Sequence, residues 1–100
     1  QNMTVKVWHL ISGEEVVGKV GKETSDSITV EKPAAIHVGA DAQNQMQMAL
    51  APMLPLSAEK EMVLNKSVVA YTFVPVEELV NNYNQAFGNG LITKTNQLLT

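Results

Sequence analysis

The stretch Val5-Lys6-Val7-Trp8-His9-Leu10-Ile11, Ser12-Gly13, Glu14-Glu15-Val16-Val17-Gly18-Lys19-Val20 decides how the chain is read. Two runs rich in β-branched residues flank a Gly-containing break, which is the pattern of a β-hairpin. Gly13 supplies the positive φ of a tight turn, and Gly18 lets a strongly bent strand pass close to its neighbour. Val5, Val7 and Ile11 share one face with His9, while Lys6, Trp8, Leu10 and Ser12 take the other. Apolar residues on both faces predict a strand covered on both sides. After the polar turn Lys22-Glu23-Thr24-Ser25-Asp26, a third strand opens at Ser27-Ile28-Thr29-Val30-Glu31, and the whole reads as a meander.

Working outward, the even positions Ile28, Val30, Lys32, Ala34, Ile36 and Val38 hold one phase, which predicts one long strand kinked at Lys32-Pro33. Gly39-Ala40-Asp41-Ala42 reads as a turn. Beyond it Gln45, Gln47, Ala49 and Ala51 alternate with Met46, Met48, Leu50 and Pro52, the period of a half-buried strand. A short helix over residues 42–50 competes, because Ala, Gln, Met and Leu are good helix formers. The methionines read as adaptable core or interface filler rather than as metal ligands.

Residues 60–64 form a short extended piece, Asn65-Lys66-Ser67 a polar break, and Ser67-Val68-Val69-Ala70-Tyr71-Thr72-Phe73-Val74 the last strand. Pro75 is expected in the first turn of a helix, where its missing N–H costs nothing, with Glu77 and Glu78 at the positive end of the dipole. Val76, Leu79, Val80, Tyr83 and Phe87 make one apolar stripe, and Gly88-Asn89-Gly90 stops it. The expected organisation is a β-domain over 1–75, a helix over 76–88 packed on it or on a neighbour, and a tail over 89–100. That tail carries Leu91, Ile92, Leu98 and Leu99, either to dock on a neighbour or to remain disordered.

Composition narrows the function classes. At 100 residues the chain supports one modest core. The absence of cysteine excludes disulfides and thiolate metal sites and fits a reducing cytoplasm. No run is long and apolar enough to span a bilayer, and the N-terminus lacks the layout of a signal peptide, so no membrane role is expected. The formal charge of −3 argues against a general nucleic-acid binder, and all seven cations are lysines: Lys6, Lys19, Lys22, Lys32, Lys60, Lys66 and Lys94. Without arginine there is no bidentate guanidinium contact to phosphate or guanine. Any nucleic-acid site must be local, although a ring of identical subunits concentrates one lysine per subunit at its axis.

Nothing in the sequence points to catalysis. His9 and His37 lie far apart and read as histidines satisfied within a sheet, and neither a Ser-His-Asp arrangement, a phosphate loop nor metal-ligand spacing is present. Glu14-Glu15 point to opposite faces of a strand, and Glu77-Glu78 have the dipole explanation. The expectation is therefore a protein that is not an enzyme and that uses no cofactor, catalytic residue or metal.

Leu10, Gly13, Val17, Gly18, Val20 and Ile28 to Val30 resemble the first motif of the Sm, LSm and Hfq family. The second half resembles the second motif, with Asn65-Lys66-Ser67 at the turn that reads Tyr-Lys-His in Hfq-type members; only the lysine agrees. Asp26 resembles the family's aspartate but lies further from Gly18, and the aromatic residue and asparagine that hold a uridine are missing. Lys32-Pro33, Pro55-Leu56-Ser57 and Pro75-Val76-Glu77-Glu78 look most like divergent Sm-like proteins of tailed bacterial viruses, including cyanophages. The resemblance implies a small, strongly bent, five-stranded antiparallel barrel, here with its helix after the last strand. It also implies a homo-oligomeric ring of about five to seven subunits, closed by pairing of unlike strand edges. Such a ring holds single-stranded RNA at its pore, with Asn65, Lys66 and Ser67, then Asp26 and Ser27, as the contacts. The alternative is a structural or protein-partner ring of phage origin that has lost RNA binding. Either form would work in the cytoplasm of a bacterial host.

Overall fold

A computed structural model describes residues 4–88. Its elements are β1 (Val5–Leu10), β2 (Glu15–Glu23), β3 (Ser27–Ala40), β4 (Met46–Pro52), β5 (Glu61–Asn65), a 3₁₀ turn (Lys66–Val68), β6 (Val69–Phe73) and α1 (Glu77–Gly88). The fold is mainly β, one antiparallel sheet in the order β4-β3-β2-β1-β6 with β5 also on β3, followed by the single helix. The expected tail over 89–100 lies outside the described residues.

Two expectations are corrected. The sheet has six strands rather than five, and it is open rather than closed into a barrel, because β6 pairs with β1 and, among the described residues, with no other strand. The additional strand arises from the length of β3. Its 14 residues offer one edge to β2 and divide the other, Ser27 to Glu31 pairing with β5 and Ala34 to Ala40 with β4. Residues 53–60 bridge the two partners. The segment 61–65, which in sequence reads only as a short extended piece, is thus a full member of the sheet. The strand reading of Met46–Pro52 holds over its helical rival.

The even-numbered stripe of β3 is continuous in sequence but not in space. Val17 lies opposite Ala34 and Lys19 opposite Glu31, so β3 carries one extra residue, and Lys32 takes φ 50° there. One inserted residue inverts the faces of everything beyond it. Ile28 and Val30 therefore join Trp8, Leu10, Val16 and Leu64 on one side of the sheet. Ala34 joins Val5, Val7, Val17 and Leu50 on the other, with Ile36 packed alongside. Pro33, at the bend, is fully buried. The first strand is indeed covered on both sides, apart from Ile11, which lies in the turn and is 69% exposed.

Both hairpin glycines have their expected reasons. Gly13 takes φ +97°, and a Cβ on Gly18 would collide with the Val30 side chain and sit 3.1 Å from the Glu31 carbonyl oxygen.

The helix begins slightly later than its proline suggests. Pro75 precedes the first helical residue by two positions, and the Val76 carbonyl caps the start by accepting from the N–H groups of Leu79 and Val80. Val76 is consequently exposed, a departure from the expected stripe, whereas Leu79, Tyr83 and Ala86 are buried. Tyr83 is the anchor. Its hydroxyl donates to the carbonyl oxygens of Lys32 at 2.7 Å and Glu31 at 3.2 Å, tying α1 to the β3 bulge. Burial, with the nearby Glu31 charge, pushes the phenol well above its ordinary value, so it stays a donor. No helix among the described residues is long and apolar enough to cross a membrane.

Candidate functional site

The residues singled out in sequence come from two turns 40 positions apart, and the β3–β5 pairing brings them together. Ser27 lies opposite Asn65 in the register, and the Lys66 N–H donates to the Asp26 carbonyl at 2.8 Å. All five residues, Asn65, Lys66, Ser67, Asp26 and Ser27, therefore occupy one end of the sheet, and each is exposed or partly so.

Each turn holds itself rigid. In the first, the Thr24 hydroxyl accepts from the N–H groups of Asp26 (3.2 Å) and Ser27 (3.0 Å), and Thr24 N–H donates to the Ser27 carbonyl (2.9 Å). In the second, the Asn65 side-chain oxygen accepts from both Ser67 N–H and Ser67 Oγ at 3.1 Å, capping the 3₁₀ turn. A short polar side chain that bonds the backbone two residues ahead is the physical reason Asn and Thr start turns.

The cluster's cation is already engaged. Lys66 Nζ lies 2.7 Å from Glu23 Oε2 at the end of β2. That hydrogen bond and the lysine's charge hold the Glu23 carboxyl below its ordinary range. Sequence reasoning missed Glu23. Three steps along β2 from Val20 to Glu23 match two steps along β3 from Val30 to Ile28, and this second bulge shifts which way the glutamate faces. Thr24 was legible, as a hydroxyl residue placed to start a turn. Chemically the cluster offers one ammonium, the hydroxyls of Ser27 and Ser67 and the Asn65 amide, beside the carboxylates of Glu23 and Asp26: groups able to hydrogen-bond a base edge, with Lys66 as the one cation for a phosphate.

The histidines are placed elsewhere. His9 stacks on Tyr71, centroids 4.6 Å apart and planes 4° from parallel, and its Nδ1 lies 3.1 Å from Glu15 Oε2. Tyr71 in turn lies beside Phe73 at 6.2 Å, so an aromatic row runs along the outermost strand. His37 is exposed, opposite Ala49. Among the described residues no group of three or more His, Cys, Asp or Glu is arranged to hold a metal ion.

No protein-family model matches the chain, and no curated protein matches it detectably in sequence.

Proposed function

We propose that the chain is a subunit of a homo-oligomeric, Sm-like ring that holds single-stranded RNA at Asn65, Lys66 and Ser67, with Asp26 and Ser27 as second contributors. The observation that carries this reading is the convergence of the two turns: five residues proposed as contacts lie at one end of one sheet, rigidified by their own side chains. The open sheet is consistent with assembly. β6 is an outer strand with Tyr71 and Phe73 exposed, and β4 lies at the other end of the order with Met46 exposed. Unpaired apolar edges invite pairing with another chain, and pairing of unlike edges closes into a ring when the rotation permits. The five-stranded, closed form of the barrel belongs to this proposal only as the family frame from which the open six-stranded sheet departs.

A second reading, a structural or protein-partner ring of phage origin without RNA, is favoured by one specific observation. Lys66 is paired with Glu23, and Asp26 adds a second negative charge to the same end of the sheet. The two readings separate in one experiment on the purified protein. Light scattering should give a multiple of the chain mass, and a monomer would remove both readings. Fluorescence anisotropy with short uridine-rich and adenosine-rich RNA should show salt-sensitive binding. Lys66→Ala should lower the slope of log affinity against log salt by about 0.7 per subunit contact. An oligomer that binds neither RNA leaves the structural ring.

A further inference from the structure

We propose that the cleft beside the β3 bulge is a second binding site, for a small ligand that joins a flat ring to an anionic group, the chemistry of a free mononucleotide. The inference is independent of the RNA cluster. The cleft encloses about 310 Å³, within the range of roughly 300–1,000 Å³ that small-molecule sites occupy. Its walls are mainly apolar: Pro33, Pro52, Leu54 and Pro55 on the strand and loop side, and the Phe87 ring from the end of α1. The phenyl ring suits the face of a planar ring, the prolines add apolar contact around it, and an aromatic side chain stacks any base without regard to its sequence identity.

The charge lies at two lysines. Lys32 and Lys60 line the cleft against one carboxylate, Glu59. Among the described residues neither ammonium is within 4.0 Å of a carboxylate oxygen, unlike that of Lys66. A smaller hollow of about 190 Å³ shares the same two lysines and adds Glu31 and Glu61, so the two ammoniums lie among three carboxylates in all, of which only Glu59 lines the main cleft. The main chains that carry the two lysines are tied together, since the Lys32 N–H donates to the Lys60 carbonyl at 2.8 Å.

Lys32 is held in the left-handed region, φ 50°, a conformation that costs a non-glycine residue free energy and persists only where the surroundings enforce it. The surroundings do so here through Tyr83, whose hydroxyl donates to the Lys32 carbonyl, and through Met53, whose N–H donates to the Pro33 carbonyl at 3.0 Å. The cleft is thus built on fixed backbone, and the residue under strain is one of its two cations. Backbone strain of this kind gathers at ligand clamps.

Titration calorimetry on the intact protein with uridine and adenosine 5′-monophosphates, free uridine and adenosine, and inorganic phosphate tests the assignment. Both mononucleotides should bind, and the nucleosides and phosphate should each bind more weakly than either. Lys60→Glu, at an exposed position where folding is easily verified by circular dichroism, should weaken the mononucleotides by at least about tenfold, the loss of one charge-assisted hydrogen bond. Lys22→Ala, at an exposed lysine outside the cleft and outside the proposed RNA contacts, should leave them unchanged. Absence of mononucleotide binding, binding that survives Lys60→Glu, loss of binding in Lys22→Ala, or phosphate binding as strong as that of the mononucleotides would each overturn it.

Discussion

Two apolar clusters lie on opposite faces of one sheet and are enclosed by different means. The cluster around Trp8, with Leu10, Val16, Ile28, Val30 and Leu64, is covered by strands and by Met53 and Val68 of the connecting segments, and among the described residues none of α1 joins it. The cluster around Val7 and Val17 is roofed by Leu79 and Tyr83 of that helix. The first cluster is held by long-range pairing of five strands, the second by one element of 12 residues at the end of the described chain. Sheet enclosure makes a cluster as stable as the whole sheet, whereas a helical roof can open locally without taking the sheet with it.

The largest expected effect is therefore on the strand-enclosed side. Trp8 is 3% exposed, and Trp8→Ala should destabilise the protein by about 3–5 kcal/mol, read as a lowered urea midpoint with an unchanged slope. Leu79→Ala should cost less, roughly 2–3 kcal/mol, at the low end for a buried leucine because the roof can resettle. Hydrogen exchange sharpens the contrast. In Leu79→Ala the α1 amides should lose protection while those of β1 keep theirs. Equal loss across β1 and α1 would mean that both clusters unfold as one unit, and the comparison would fail.

A smaller effect isolates the tie between helix and bulge. Tyr83→Phe keeps the ring in the core but leaves the Glu31 and Lys32 carbonyls without their shared donor. The expected cost is about 1–2 kcal/mol, with faster exchange confined to α1 and the bulge. An unchanged melting temperature would show that packing alone holds the roof.

The same contrast explains what could be read from the residues alone. The hairpin about Gly13, the long third strand, the kink at Lys32-Pro33 and, from Leu79 onward, the apolar stripe of α1 follow from local chemistry, and all are present. The division of β3 between two partners was not legible, because period-two alternation is blind to a single inserted residue. Ile28 and Ala34 look alike in phase, yet the bulge sends them to different cores. Val76 shows the converse, an apolar residue in helical phase that serves as a cap and stays in solvent. At the candidate site the turns were legible from Asn65, Ser67, Asp26 and Ser27, but Glu23 was not. Its approach to Lys66 depends on a bulge that leaves no mark in composition.

That pair gives the smallest expected effect and extends the comparison from the two cores to the surface between two turns. Glu23 and Lys66 are both solvent-accessible, so the contact adds little to folding, and Glu23→Gln should leave the melting temperature unchanged at neutral pH. The sign of its pH dependence is fixed by the depressed carboxyl. Whatever the pair contributes is fully present above the ordinary glutamate value and is lost as pH falls through the lower, folded value. Under the proposed RNA reading the same carboxylate competes with phosphate for Lys66. Glu23→Gln should then tighten uridine-rich RNA at neutral pH and steepen its salt dependence, whereas Lys66→Ala flattens it. The double variant separates competition from a general change in surface charge. With Lys66 already removed, Glu23→Gln should change affinity much less than it does in the parent. An equal gain in both backgrounds would show that Glu23 repels RNA at a distance and that Lys66 is not its point of contact.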